Sequence, residues 1–134
     1  MSSKIFVNLP VNDLGRSMAF YAKLGYSFNE QFTDDNAACL VISDDIYAML
    51  LVRPFFQTFT NKPVADPAQG TAAILALAVD SRDQVDELVD AALANGGAPV
   101  KEPMEQGPMY SRSFADPDGH HWEYLWMDPA AIQG

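Results

Sequence analysis

The chain has 134 residues, with 18 acids against 8 bases and a net charge of −10. That length fits one domain with a core of ordinary size, and the acidic balance disfavours nucleic acid or an anionic membrane as partner. The single cysteine, Cys39, excludes an intramolecular disulfide, and no apolar run approaches the roughly 18 residues of a membrane span.

The N-terminal stretch MSSKIFVNLP lacks the long apolar core and cleavage site of a signal peptide, so a cytoplasmic location is expected. A first strand is predicted from Ile5 to Val11. A first helix follows, with Asp13 as N-cap and Gly25 just past its end. Its apolar face is Leu14, Met18, Phe20, Tyr21 and Leu24. Next come two apolar runs, AACLVIS and IYAMLLV, with Ser43 to Asp45 as the hairpin turn between them. Cys39 lies in the first run with no basic neighbour and reads as a small buried hydrophobe. The segment Arg53 to Gly70 joins this half to the next. Its Phe55, Phe56 and Phe59 suggest a dimer contact or a lid.

The pattern then repeats. AAILALAV is a strand. Ser81 and Gln84 have capping-box spacing at the start of a second helix. Val85, Leu88, Val89, Ala92 and Leu93 form its apolar stripe, and Gly96 and Gly97 end it. KEPMEQGPMY, Lys101 to Tyr110, reads as an adaptable loop. YSRSFA and HHWEYLWM are strands joined by DPDG, in which proline presets one dihedral angle and glycine accepts a positive φ. Each half therefore reads β-α-β-β-β: a first module over about 1–53, a linker over 54–70 and a second module over about 71–128.

These segments resemble the vicinal oxygen chelate superfamily, which includes glyoxalase I, bleomycin-resistance proteins and extradiol dioxygenases. The matching stretches are LPVNDLGRSMAFYAKLGY, Leu9 to Tyr26, and FADPDGHHWEYLWM, Phe114 to Met127. The tail is similar to a bacterial branch labelled predicted lactoylglutathione lyase. The resemblance implies an α+β fold of two βαβββ modules, their mixed sheet curled into a cup with helices outside. It also implies a small-molecule ligand in the cup and a homodimer.

In the metal-dependent members of that superfamily, four positions supply His, Gln or Glu ligands. Carried onto this sequence, they fall at Phe6, Met49, Ile74 and Glu123. Only Glu123 is of the right type, because phenylalanine and isoleucine have no lone pair and methionine suits soft metals. A catalytic divalent ion takes about three protein ligands. No cofactor is therefore expected. If a divalent metal is present, Glu123 and His121 are its candidate ligands.

Strand alternation assigns the cup face. It holds Phe6 and Asn8, then Ile74, Ala76 and Ala78, then His121, Glu123 and Leu125, with Trp122, Tyr124 and Trp126 facing the helices. His120, beside the turn, is expected in solvent. If DPDG is a four-residue loop, Arg112 lies opposite Glu123 and pairs with it, with Tyr110 on the same face. One more loop residue would reverse that parity and remove the pair. The candidate ligand-binding set is thus Phe6, Asn8, Met49, Ile74, Tyr110, Arg112, His121, Glu123 and Leu125, and Glu123 is the candidate catalytic residue.

The leading expectation is a metal-independent small-molecule binder, with no nucleic acid or membrane partner. A glyoxalase-type lyase using Glu123 is the alternative enzyme, and a non-catalytic interaction module is the third class. The acidic surface serves solubility, and its sharper reading is steering of a cationic ligand.

Overall fold

The computed structural model describes residues 3–130. Two compact units divide the chain, Met1–Asp66 and Pro67–Gly134. Their boundary falls inside the segment expected to join the halves. Each unit carries helix and mixed sheet, an α+β arrangement.

The first unit runs β1 (Ile5–Val11), α1 (Leu14–Lys23), β2 (Ser27–Asn29), a 3-10 turn (Glu30–Phe32), β3 (Ala37–Val41), β4 (Ile46–Val52) and α2 (Arg53–Gln57). The strand order is β1-β4-β3-β2, with β1 parallel to β4 and the other pairs antiparallel. The Asp13 carboxylate accepts from the Arg16 N–H and starts α1; such a cap is worth about 1 kcal/mol. Gly25 stops the helix with a φ of +98°, a backbone conformation in which other residues are strained. Helix α1 packs on β3 and β4. Ala38, Leu40, Ala48 and Leu50, which share one sheet face by register, are fully buried. The helix α2 was not expected. It follows β4 directly, with Pro54 in its first turn, where a missing N–H costs nothing.

The second unit runs β5 (Ile74–Ala78), α3 (Arg82–Ala94), β6 (Ala98–Pro99), β7 (Met104–Gln106), β8 (Met109–Ala115) and β9 (His121–Met127). The order is β5-β9-β8-β6, with β7 also on β8, and β5 is parallel to β9. The Ser81 hydroxyl accepts from the Gln84 N–H, while the Gln84 side chain accepts from the Asp80 N–H. This is a capping box with its return arm one residue early. Val85, Val89 and Ala92 are buried as α3 packs on β8 and β9, whose Phe114, Trp122 and Tyr124 are also buried.

Two features correct the sequence reading. The segment expected as a loop contains β7, because Gly107 at a φ of +57° lets Met104–Gln106 fold back on Met109–Ser111. The final hairpin loop holds five residues, Asp116 to His120, rather than four. The Asp116 carboxylate accepts from the N–H groups of Asp118 and His120, and the Asp116 N–H donates to the His120 carbonyl. That closed ring keeps His120 inside the loop, where it is only 9% exposed. It is not the solvent-facing residue expected. The pairing opposite β9 therefore shifts by one residue. Among the described residues no helix is long and apolar enough to cross a membrane.

Candidate functional site

In each unit the helix covers one sheet face and leaves the other open. On the open face of the first unit, register places Phe6 beside Tyr47 and Asn8 beside Met49. The Phe6 and Tyr47 rings stack with centroids 4.7 Å apart, and Phe6 remains 48% exposed. Further along the face is a cavity of about 410 Å³, within the range of ligand pockets. Asn8, Met49 and Leu51 form its floor, and Phe32, Phe55 and Phe59 line it from the 3-10 turn and from α2 and its end. The Phe55 and Phe59 rings meet edge to face at 5.1 Å. Cys39 shares this face through its pairing with Met49, yet it is buried, and burial pushes its thiol pKa up. That makes it a poor nucleophile.

On the open face of the second unit, register sets Ile74 beside His121, Ala76 beside Glu123 and Ala78 beside Leu125. Ser113 faces Glu123 from β8, and Ser111 faces Leu125. A cavity of about 70 Å³ lies here, lined among others by Ile74, Lys101, Met104, Ser113, His121 and Glu123. Ser113 is 7% exposed, and its hydroxyl has no hydrogen-bond partner.

The Arg112–Glu123 pair does not form. Arg112 lies opposite Tyr124, and Tyr110 opposite Trp126, so both are on the helix side. The Arg112 guanidinium reaches the carboxylates of Asp86 at 3.0 Å and Asp90 at 2.9 Å on α3. The Tyr110 hydroxyl donates to Asp86 at 2.5 Å. That hydrogen bond is the main cause of a lowered Asp86 pKa; burial opposes it and Arg112 adds to it. Burial and the Asp86 contact raise the Tyr110 pKa. Arg82 stacks on the Tyr110 ring at 3.8 Å and bonds Glu105 on β7. This network clamps β7 and β8 to α3. Its sequence signal was the spacing of Asp86 and Asp90, four apart and so on one helix face.

The internal registers of the two units correspond. Phe6 pairs with Tyr47 and Ile74 with His121, each in a parallel ladder, and Met49 and Glu123 each stand two residues past that partner. A family model described as the glyoxalase/bleomycin resistance protein/dioxygenase superfamily matches residues 5–124. The chain belongs to this superfamily.

Solved structures agree. A hypothetical protein from S. aureus is 30% identical, with a TM-score of 0.78 and coverage of 94% of this chain and 95% of that one. A bleomycin resistance determinant encoded on transposon Tn5 is 20% identical, with a TM-score of 0.65 over 95% of this chain and 99% of that one. A fosfomycin resistance protein from Listeria monocytogenes is 19% identical, with a TM-score of 0.69 over 99% of both chains. The last two show the fold alone. No curated protein matches the sequence.

The donor set does not fit a superfamily metal site. Among the described residues no three or more His, Cys, Asp or Glu side chains gather as metal ligands. The second unit brings His121 and Glu123 to one face, and the equivalent pair in the first unit is Tyr47 and Met49. Two donors fall short of the about three that a catalytic ion takes from protein.

Proposed function

We propose that this superfamily member binds a small organic molecule without a resident metal ion, on the open sheet faces, and acts as a homodimer. The observation that carries the reading is the chemistry at the four ligand positions: Phe6, Met49 and Ile74 stand beside a lone Glu123. Apolar walls with a few placed polar groups suit an organic ligand better than an ion. The large exposed side chains Phe6 and Ile74 give a second copy apolar surface to cover. Metal analysis of the purified protein tests the reading, with less than a tenth of an ion per chain expected. One tightly held divalent ion per chain overturns it. Light scattering at micromolar concentration tests the dimer, and a monomer mass removes it.

A second reading is a glyoxalase-type lyase, favoured by the shared face of His121 and Glu123. Glu123 would move a proton next to a carbonyl. Hemithioacetal turnover with added nickel or zinc, lost on Glu123→Gln, supports it. No turnover across several ions removes it.

A further inference from the structure

We infer that the small cavity of the second unit seats the cationic head group of an organic amine, with Glu123 as ionic partner and the Ser113 hydroxyl as hydrogen-bond partner. This deepens the binding reading above and rests on it.

Three observations converge. Glu123 has no hydrogen bond or ion pair with any described residue, although it lines the cavity. An ionised carboxylate only accepts, so its partner must bring a donor. Arg112 also borders the cavity, but its guanidinium is bonded to Asp86 and Asp90 on α3. Lys101 lines the cavity too, but it makes no ion pair with Glu123, and Glu102 beside it restores the negative balance.

Ser113 supplies the second observation. It is directly opposite Glu123, more than nine-tenths buried, and its Oγ is unpartnered. Buried hydroxyls are normally satisfied, and an exception calls for a missing partner. An ammonium has three donors, enough for the carboxylate and the hydroxyl together.

Shape supplies the third. About 70 Å³ admits a head group, not a whole ligand; complete ligand pockets run to about 300–1,000 Å³. Beside Glu123, β5 presents Ala76 and Ala78 with Ile74, all exposed. The small alanines leave a low apolar shelf on which the rest of an amine can lie. The net charge of −10 would raise the local concentration of such a cation.

The test is calorimetry on the full chain, dialysed against chelator, with n-hexylammonium, 1-hexanol and hexanoate as probes. Hexylammonium is expected to bind about tenfold more tightly than hexanol, with hexanoate weaker still. Glu123→Gln should abolish that preference, bringing hexylammonium down to the affinity of hexanol. Ser113→Ala should weaken the amine about threefold. Equal binding of all three probes overturns the assignment, as does a preference that survives Glu123→Gln. Should a variant fail to fold, amide shifts of the wild-type protein on adding hexylammonium decide. Shifts centred on Ser111–Ser113 and His121–Leu125 support the site, and shifts elsewhere overturn it. No amine binding by a metal-free protein that still takes up 2-naphthol sinks the amine assignment alone. No amine binding by a protein holding one ion per chain sinks the binding reading as well.

Discussion

The two units use one plan with different chemistry. In both, the first strand pairs in parallel with the last, and the same register positions face away from the helix. In the first unit those positions are Phe6, Tyr47 and Met49; in the second they are Ile74, His121 and Glu123. The helix sides are alike in kind: Leu40, Ala48 and Leu50 in one, Phe114, Trp122 and Tyr124 in the other, all buried and apolar or aromatic. Register is fixed by the buried face, because a one-residue slip would turn it to water. The open face is then free to change without loss of fold. The same framework therefore carries an apolar wall in one unit and a lone carboxylate in the other.

That contrast breaks first, and hardest, at the buried face. Phe114 is fully buried, and Phe114→Ala should cost about 3–5 kcal/mol. Leu50→Ala in the first unit should cost about 2–5 kcal/mol. Urea unfolding measures both. Losses below about 1 kcal/mol would mean that the helix faces do not set the register.

The hairpin loops are the next test. The first unit turns between the paired Val41 and Tyr47, through Ile42–Ile46, and no described residue other than glycine has a positive φ. The second turns through Asp116–His120 and needs Gly119 at a φ of +102°. A Cβ there would also meet the Ala68 backbone at 2.9 Å. Gly119→Ala should destabilise by about 1–3 kcal/mol, read as a lower melting temperature, whereas Ser43→Ala should change it little.

The open faces can be compared by adding one donor to each. Ile74→His places a third donor beside His121 and Glu123 and should raise zinc affinity at least about tenfold. Phe6→His adds a donor beside Tyr47 and Met49 and should raise it little. Calorimetry with zinc reads both. Equal gains would mean that the two faces do not differ in donor chemistry.

Much of the frame was legible because its signals are local. Asp13, Gly25, Ser81 and Gln84 mark helix ends by their own hydrogen bonds or dihedral angles. The first strand and both last strands are short apolar runs bounded by turn residues. The misses depend on backbone closure. A fifth loop residue, held by Asp116, moved Arg112 and Tyr110 to the helix side. Gly107 turned an apparent loop into β7. The aromatic lining of the first unit's cavity comes from the 3-10 turn and α2, short elements with little periodicity to read.

The smallest expected effect separates the units by acid. The second unit holds Asp86 under the Tyr110 hydroxyl and Arg112, with its pKa lowered. In the first unit the Lys4–Asp45 pair is 3.7 Å apart and exposed on both sides, and such pairs contribute about 0–1 kcal/mol. A carboxyl with a depressed folded pKa stabilises above its unfolded value, about 3.9, and loses that contribution as pH falls through the folded value. Asp86→Asn keeps a hydrogen-bonding side chain but removes the charge. It should cost about 1 kcal/mol at pH 7, discounted because Asp86 is partly exposed. The cost should shrink as pH falls below the unfolded carboxyl value and through the lowered folded value, where the wild-type carboxyl is itself protonated. Melting temperatures of both proteins from pH 2 to pH 7 give the difference, and a constant gap across that range would show that the Asp86 charge does not hold β8 to α3.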